Sequence, residues 1–159
     1  MESCSVFLAD APATQALGAA LAQQWLNHSP RTAQAPILLL QGDLGAGKTC
    51  LVQGIAAGLG ITEPITSPTF ALAQHYQGSA AGRSTALVHL DLYRLEQASS
   101  ADELFAQEEE EALALGALMA VEWSERLSFM PEPCWQLALT LANPHRPNAG
   151  RQANLILRP

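Results

Sequence analysis

The segment from Pro36 to Gly60 constrains this chain most. An apolar run, Ile37-Leu38-Leu39-Leu40, leads into Gly42-Asp43-Leu44-Gly45-Ala46-Gly47-Lys48-Thr49, and a helix-forming stretch follows. Pro36 to Gln41 is too continuously apolar for a strand with one wet face, which predicts a strand covered on both sides, as in a parallel sheet. Lys48 to Leu59 predicts a helix closed by Gly60. The loop between them matches the phosphate-loop pattern G-x-x-x-x-G-K-[ST] at every fixed position, a match expected by chance in roughly 0.5% of chains this long. Such a loop needs glycines so that successive backbone N–H groups converge on phosphates without side-chain collision, and the helix adds its positive end. Lys48 would reach the β and γ phosphates, and the Thr49 hydroxyl can ligate Mg²⁺. Lys48 is the only lysine in the sequence, a placement that a merely structural glycine turn does not explain.

The flanking pattern predicts an α/β fold: a single P-loop NTPase-type domain over residues 1–159, a mostly parallel sheet flanked by helices, with antiparallel strands near the C-terminus. Ser5 to Ala9 reads as a short strand. Asp10 then caps a helix with Pro12 in its first turn and Leu17, Leu21 and Trp25 on one face. Ala71 to Tyr76 reads as a strand, Gly78 to Ser84 as a turn, and Thr85 to Asp91 as a second buried strand. Ala101 to Leu115 is helix-like, capped by Ser100 or Asp102, with Leu104, Phe105, Leu113 and Leu115 as its apolar members. Ala117 to Glu122 is a third buried strand. Cys134 to Ala142 alternates, with Trp135, Leu137, Leu139 and Leu141 on one face, and Gln152 to Leu157 returns beside it.

A phosphate loop also needs a carboxylate at the end of a neighbouring parallel strand to hold the metal, directly or through water. Asp91 and Glu122 each end a predicted buried strand, and strand ends of this kind form the ligand crevice of open α/β sheets. Asp91 is expected in the metal shell and Glu122 as a metal or water-orienting residue; a bland polar strand end is the competing reading for each.

Composition narrows the nucleotide chemistry. A guanine-reading Asn-Lys-x-Asp motif cannot exist, because the single lysine is already in the loop. Arg83, Arg94 and Arg126 are scattered singly rather than grouped as a kinase lid would require. The net charge of -7 lacks the basic footprint of a nucleic-acid binder, so any RNA would be held by another protein. The N-terminus carries an acid where a signal peptide carries positive charge, and no run approaches the roughly 18 apolar residues of a membrane span. A cytoplasmic protein without membrane contact is expected. Cys4, Cys50 and Cys134 lack ligand or pairing patterns and read as buried or semi-buried thiols. His28, His75 and His145 read as surface residues.

Four blocks in order, GDLGAGKT, Ser67-Pro68-Thr69-Phe70, His89 to Leu95 (HLDLYRL) and Val121-Glu122-Trp123, resemble the TsaE family, formerly called YjeE. The similarity spans nearly the whole chain. TsaE proteins are bacterial P-loop ATPases that act with TsaB and TsaD to place threonylcarbamoyl on the adenosine beside the anticodon of tRNAs reading codons that begin with A. The resemblance implies ATP and Mg²⁺ as ligands, TsaB and TsaD as partners, and tRNA reached indirectly through the complex. It implies nucleotide contacts from Gly42 to Thr49, metal ligation by Thr49, Asp91 and Glu122, and catalytic roles for Lys48, Asp91 and Glu122. Cys50 belongs to the same nucleotide-binding segment but stands where the family commonly has a hydroxyl residue, so one side-chain phosphate contact is open to loss.

Trp123 follows the acid as in the family and reads either as a core aromatic or as a residue beside the nucleotide. Thr14, in the N-terminal helix region through which family members contact the base, and Arg151, for phosphate or partner contact, are further candidates. Ser67 and Thr69 read either as a nucleotide-sensing segment or as a turn whose hydroxyls satisfy the backbone. Tyr93 and Arg94 read as a partner-facing pair or an ordinary exposed loop, and Glu108 to Glu111 as a solvated helix face or a docking patch for a basic partner. Two other functions stay open beside a partner-gated ATPase. One is a nucleotide-sensing adaptor without functional hydrolysis, and the other is a small-metabolite kinase.

Overall fold

A computed structural model describes residues 2–27, 36–66 and 72–159. Its elements in chain order are β1 (Glu2–Leu8), α1 (Ala11–Asn27), β2 (Ile37–Gln41), α2 (Lys48–Gly58), β3 (Ala73–Ala80), β4 (Arg83–Asp91), α3 (Ala98–Leu115), β5 (Leu118–Glu122), a 3₁₀ turn (Ser124–Arg126), β6 (Cys134–Leu141) and β7 (Arg151–Arg158). The strands form one seven-stranded sheet in the order β1-β7-β6-β2-β5-β4-β3. The four central strands, β6, β2, β5 and β4, run parallel. The expected α/β architecture is borne out, with antiparallel strands at both margins: β7 and β1 on one side, β3 on the other.

The apolar run of β2 is explained by helices on both faces. Leu38 and Leu40 face the core shared with α1 and α2, and Leu39 joins the core under α3. The same alternation sorts Leu118 and Ala120 from Met119 and Val121 in β5. Continuing that period of two, His89, Asp91 and Glu122 fall on the α1/α2 face of the sheet.

Helices α1 and α2 approach so closely that glycine is required where they meet. A Cβ on Gly18 would lie 2.3 Å from the Leu51 carbonyl oxygen, and one on Gly54 2.1 Å from that of Gln15. Asp10 caps α1 as expected, its Oδ1 accepting the Ala13 N–H at 2.9 Å. Leu21 and Trp25 are buried on the predicted face.

Several local expectations are corrected. The third helix starts at Ala98, and its N-cap, Gln97, makes no side-chain capping bond, so neither Ser100 nor Asp102 caps it. Asp102 instead accepts the Ser128 N–H at 3.0 Å and the Ser128 hydroxyl at 2.5 Å. The buried face of α3 is Ala101, Phe105 and Ala112, whereas Leu113 and Leu115 are exposed. Gly78 lies inside β3 rather than in a turn, because β3 and β4 pair as one hairpin up to Ala80 and Arg83. Cys4 is exposed, since β1 is an edge strand. Ser67 to Phe70 and His28 lie outside the described residues. Among the described residues no helix is long and apolar enough to cross a membrane.

Candidate functional site

The loop from Gly42 to Gly47 joins the carboxyl end of β2 to the start of α2. Its turns demand φ values that side chains resist: 150° at Gly42, 81° at Gly45 and 107° at Gly47. At Gly42 the backbone also runs against β6, where an added Cβ would meet the Leu139 carbonyl oxygen at 2.7 Å. Helix α2 starts on Gly47 without a side-chain cap and without an acid in its first turn. Its positive end therefore opens on the loop with no acid of its own first turn to offset it, which suits a phosphate.

A cavity of about 350 Å³ lies over this loop. Its lining includes Asp43 to Cys50, then Asp91 at the end of β4 with Tyr93 and Arg94 beyond it, and Glu122 at the end of β5 followed by Trp123. Register explains the meeting of the two acids: Asp91 pairs with Glu122 across the β4/β5 ladder, and Glu122 pairs with Leu40 of β2. Glu122 is 3% exposed. Burial pushes the Asp91 carboxyl above its ordinary range; the Tyr93 N–H, donated to Oδ1 at 3.0 Å, pulls it back, Glu122 raises it further, and His89 and Lys48 lower it.

Lys48 is buried, and its ammonium donates to the carbonyls of Gly42 and, at 3.2 Å, Asp43. The same nitrogen lies 4.5 Å from the centre of the Trp123 ring, within cation–π range. Trp123 holds φ 59°, ψ 42°, a left-handed conformation that costs a bulky residue energy and clusters at functional sites. Its ring lies 4.8 Å from that of Tyr93 and 5.8 Å from the Arg126 guanidinium, which also donates to the Tyr93 carbonyl at 3.1 Å. Trp123 is thus a wall of the cavity as well as a packed aromatic.

The donor set suits a hard cation. The Thr49 hydroxyl and the Asp91 and Glu122 carboxylates, which line the same cavity, offer oxygen only. Mg²⁺ is commonly held by one or two carboxylates together with substrate phosphates and water. No cluster of three or more His, Cys, Asp or Glu among the described residues could hold a metal by itself.

Two candidates lie behind the loop and outside the cavity lining. Thr14 is buried in α1, its hydroxyl donating to the Asp10 carbonyl at 3.3 Å, and its methyl would lie 3.9 Å from a Cβ on Gly47. Arg151 grips the loop from β7. Its Nε donates to the Ala46 carbonyl and Nη2 to that of Gly45, both at 3.1 Å, while Nη1 reaches the Pro147 and Gly150 carbonyls at 2.5 and 3.1 Å. These bonds turn its guanidinium towards loop carbonyls, so that it braces the backbone. Cys50 donates to the Ala11 carbonyl at 3.6 Å, and burial raises its thiol pKa against the opposing charge of Arg151.

Sequence reasoning passed over His89, which is fully buried against Glu122. The signal was present: in a buried strand a histidine two residues before the acid shares its face. His75 is a surface residue as expected, but it pairs with Glu108 at 2.6 Å, so that member of the acidic run is engaged.

The family model described as threonylcarbamoyl adenosine biosynthesis protein TsaE matches residues 8–152. The chain is 40% identical over 150 residues to a Nostoc sp. protein named tRNA threonylcarbamoyladenosine biosynthesis protein TsaE, covering 94% of this chain and 83% of that one. A Synechocystis sp. protein of the same name is 44% identical over 131 residues, 81% of this chain and 75% of its own. Among solved structures, Bacillus subtilis YdiB superposes with a TM-score of 0.67 at 25% identity, covering 99% of this chain and 87% of that one.

Proposed function

The chain belongs to the TsaE family, and on that premise we propose that it binds and hydrolyses ATP for the formation of N6-threonylcarbamoyladenosine in tRNA. It acts in the cytoplasm with TsaB and TsaD, whose docking gates hydrolysis, and it meets tRNA only through that complex. The observation that carries this reading is the cavity itself, in which a phosphate loop, one buried lysine and two strand-end acids share one side of the sheet.

The backbone amides from Gly45 to Cys50 orient the phosphates, and Lys48 moves from its loop carbonyls onto the β and γ oxygens. Bound Mg²⁺, held by Thr49 with Asp91 or Glu122, would neutralise phosphate charge. Glu122 orients the attacking water, and Trp123 and Tyr93 wall the site against bulk solvent. Water is the acceptor in this reading, as in other phosphate-loop ATPases. Arg151 keeps the loop carbonyls turned away from the phosphates.

The test is ATP turnover with and without TsaB and TsaD. The expected result is turnover that rises at least about tenfold when both are present. Equal rates in the two conditions would remove partner gating. Sustained tRNA modification on a non-hydrolysable ATP analogue would remove hydrolysis itself.

A further inference from the structure

His89 lies two residues before the end of β4, in the buried run Leu87-Val88-His89-Leu90, with no solvent exposure. A histidine there exposes none of its polarity to water, and an apolar residue would fill the position without that desolvation. Its Nε2 lies 2.5 Å from Oε2 of Glu122, itself buried, and its Nδ1 has no partner among the described residues. A carboxylate that is to take up a proton from water must be an acceptor, so in the proposed role of Glu122 the Nε2 N–H is the donor of this bond. The ladder fixes the meeting: His89 pairs with Ala120, which makes Glu122 its diagonal neighbour on the same face.

We propose that His89 is the positioning residue of Glu122: it pins one carboxylate oxygen and so leaves the other directed to the cavity. This rests on the proposed catalytic role of Glu122. A carboxylate free to rotate about its last two side-chain bonds would meet the attacking water in the productive geometry only part of the time. The bond removes that freedom without touching the nucleotide, so its loss falls on the chemical step and leaves ATP affinity alone.

The experiment measures single-turnover ATP hydrolysis in the complete chain with TsaB and TsaD, and ATP affinity separately, for His89→Asn and His89→Gln. Glutamine can place its amide N–H near the position of Nε2; asparagine is too short. His89→Asn should slow hydrolysis by about 10- to 100-fold with affinity within about threefold, as for other partners that orient a functional side chain. His89→Gln should recover most of that loss. The double variant His89→Asn with Glu122→Gln should be no slower than Glu122→Gln alone.

Normal hydrolysis in His89→Asn, an equal loss in both amide variants, or losses that multiply in the double variant would each overturn the proposal. Normal hydrolysis in Glu122→Gln would instead overturn the catalytic reading of Glu122, and His89 would then have nothing to position. If the His89 variants do not fold, the unmodified imidazole decides. A slowly exchanging Nε2–H resonance that shifts in Glu122→Gln supports the bond, and a resonance indifferent to that change overturns it.

Discussion

Six of the eleven residues of α2 are buried, Lys48 among them, but only three of the eighteen in α3. Both helices cover the same sheet. The second is wedged between α1 and the strands at glycine contacts, and it begins on the nucleotide loop. The third lies over the opposite face on Ala101, Phe105 and Ala112, with its outer side in water. The contrast separates a face built to hold a loop still from one that merely closes a core. Substitutions on the two helices should therefore differ in kind as well as size.

The largest effect is expected from Lys48→Ala, which removes charge from the site without straining α2. Nucleotide affinity should fall by about 100-fold while the fold survives, checked by calorimetric titration and thermal melting. Gly54→Ala tests the wedge: a Cβ 2.1 Å from a backbone oxygen should cost about 2–3 kcal/mol in denaturant unfolding. An unchanged midpoint would mean that α1 and α2 can move apart freely, and the contrast would dissolve. Arg151→Met should weaken nucleotide binding about tenfold by freeing the Gly45 and Ala46 carbonyls, with a smaller change in melting temperature.

A smaller effect comes from Asp91→Asn. The folded carboxyl is raised by burial, so at neutral pH its ionised form is a cost to the folded protein. The variant should melt a few degrees above the parent at neutral pH, on the order of 1 kcal/mol or less because the group is only half buried. The advantage should shrink as pH falls through the raised value and vanish below the ordinary carboxylate range, where both states are protonated. Smallest of all, Leu113→Gln on the outer side of α3 should stay within about 0.5 kcal/mol of the parent. A larger loss would show that the open face of α3 is not inert.

The same contrast explains what could be read in the residues beforehand. A continuous apolar strand running into a glycine loop and a lysine admits one local structure, so β2, the loop and α2 were legible almost to the residue. The Ala- and Glu-rich α3 was less so. It carries no side-chain cap at its N-terminus, and its apolar residues do not say which of Phe105 and Leu113 turns inward until the sheet beneath is known. Long-range partners were illegible for a different reason. Asp102 binds Ser128, and Arg151 binds a loop 105 residues earlier; spacing along the chain carries no trace of either. His89 was legible in principle from its period with Asp91, but a histidine inside an apolar strand also reads as an ordinary core residue.

The grip of Arg151 on the loop sets an order of events during synthesis. The glycine loop, its lysine and both acids leave the ribosome well before β7, the strand that carries the arginine and pairs with β1 on one side and β6 on the other. Until that strand is made, the edge of the sheet is open and the loop carbonyls are unbraced. The brace on the loop is thus acquired late, after the whole glycine motif has been made.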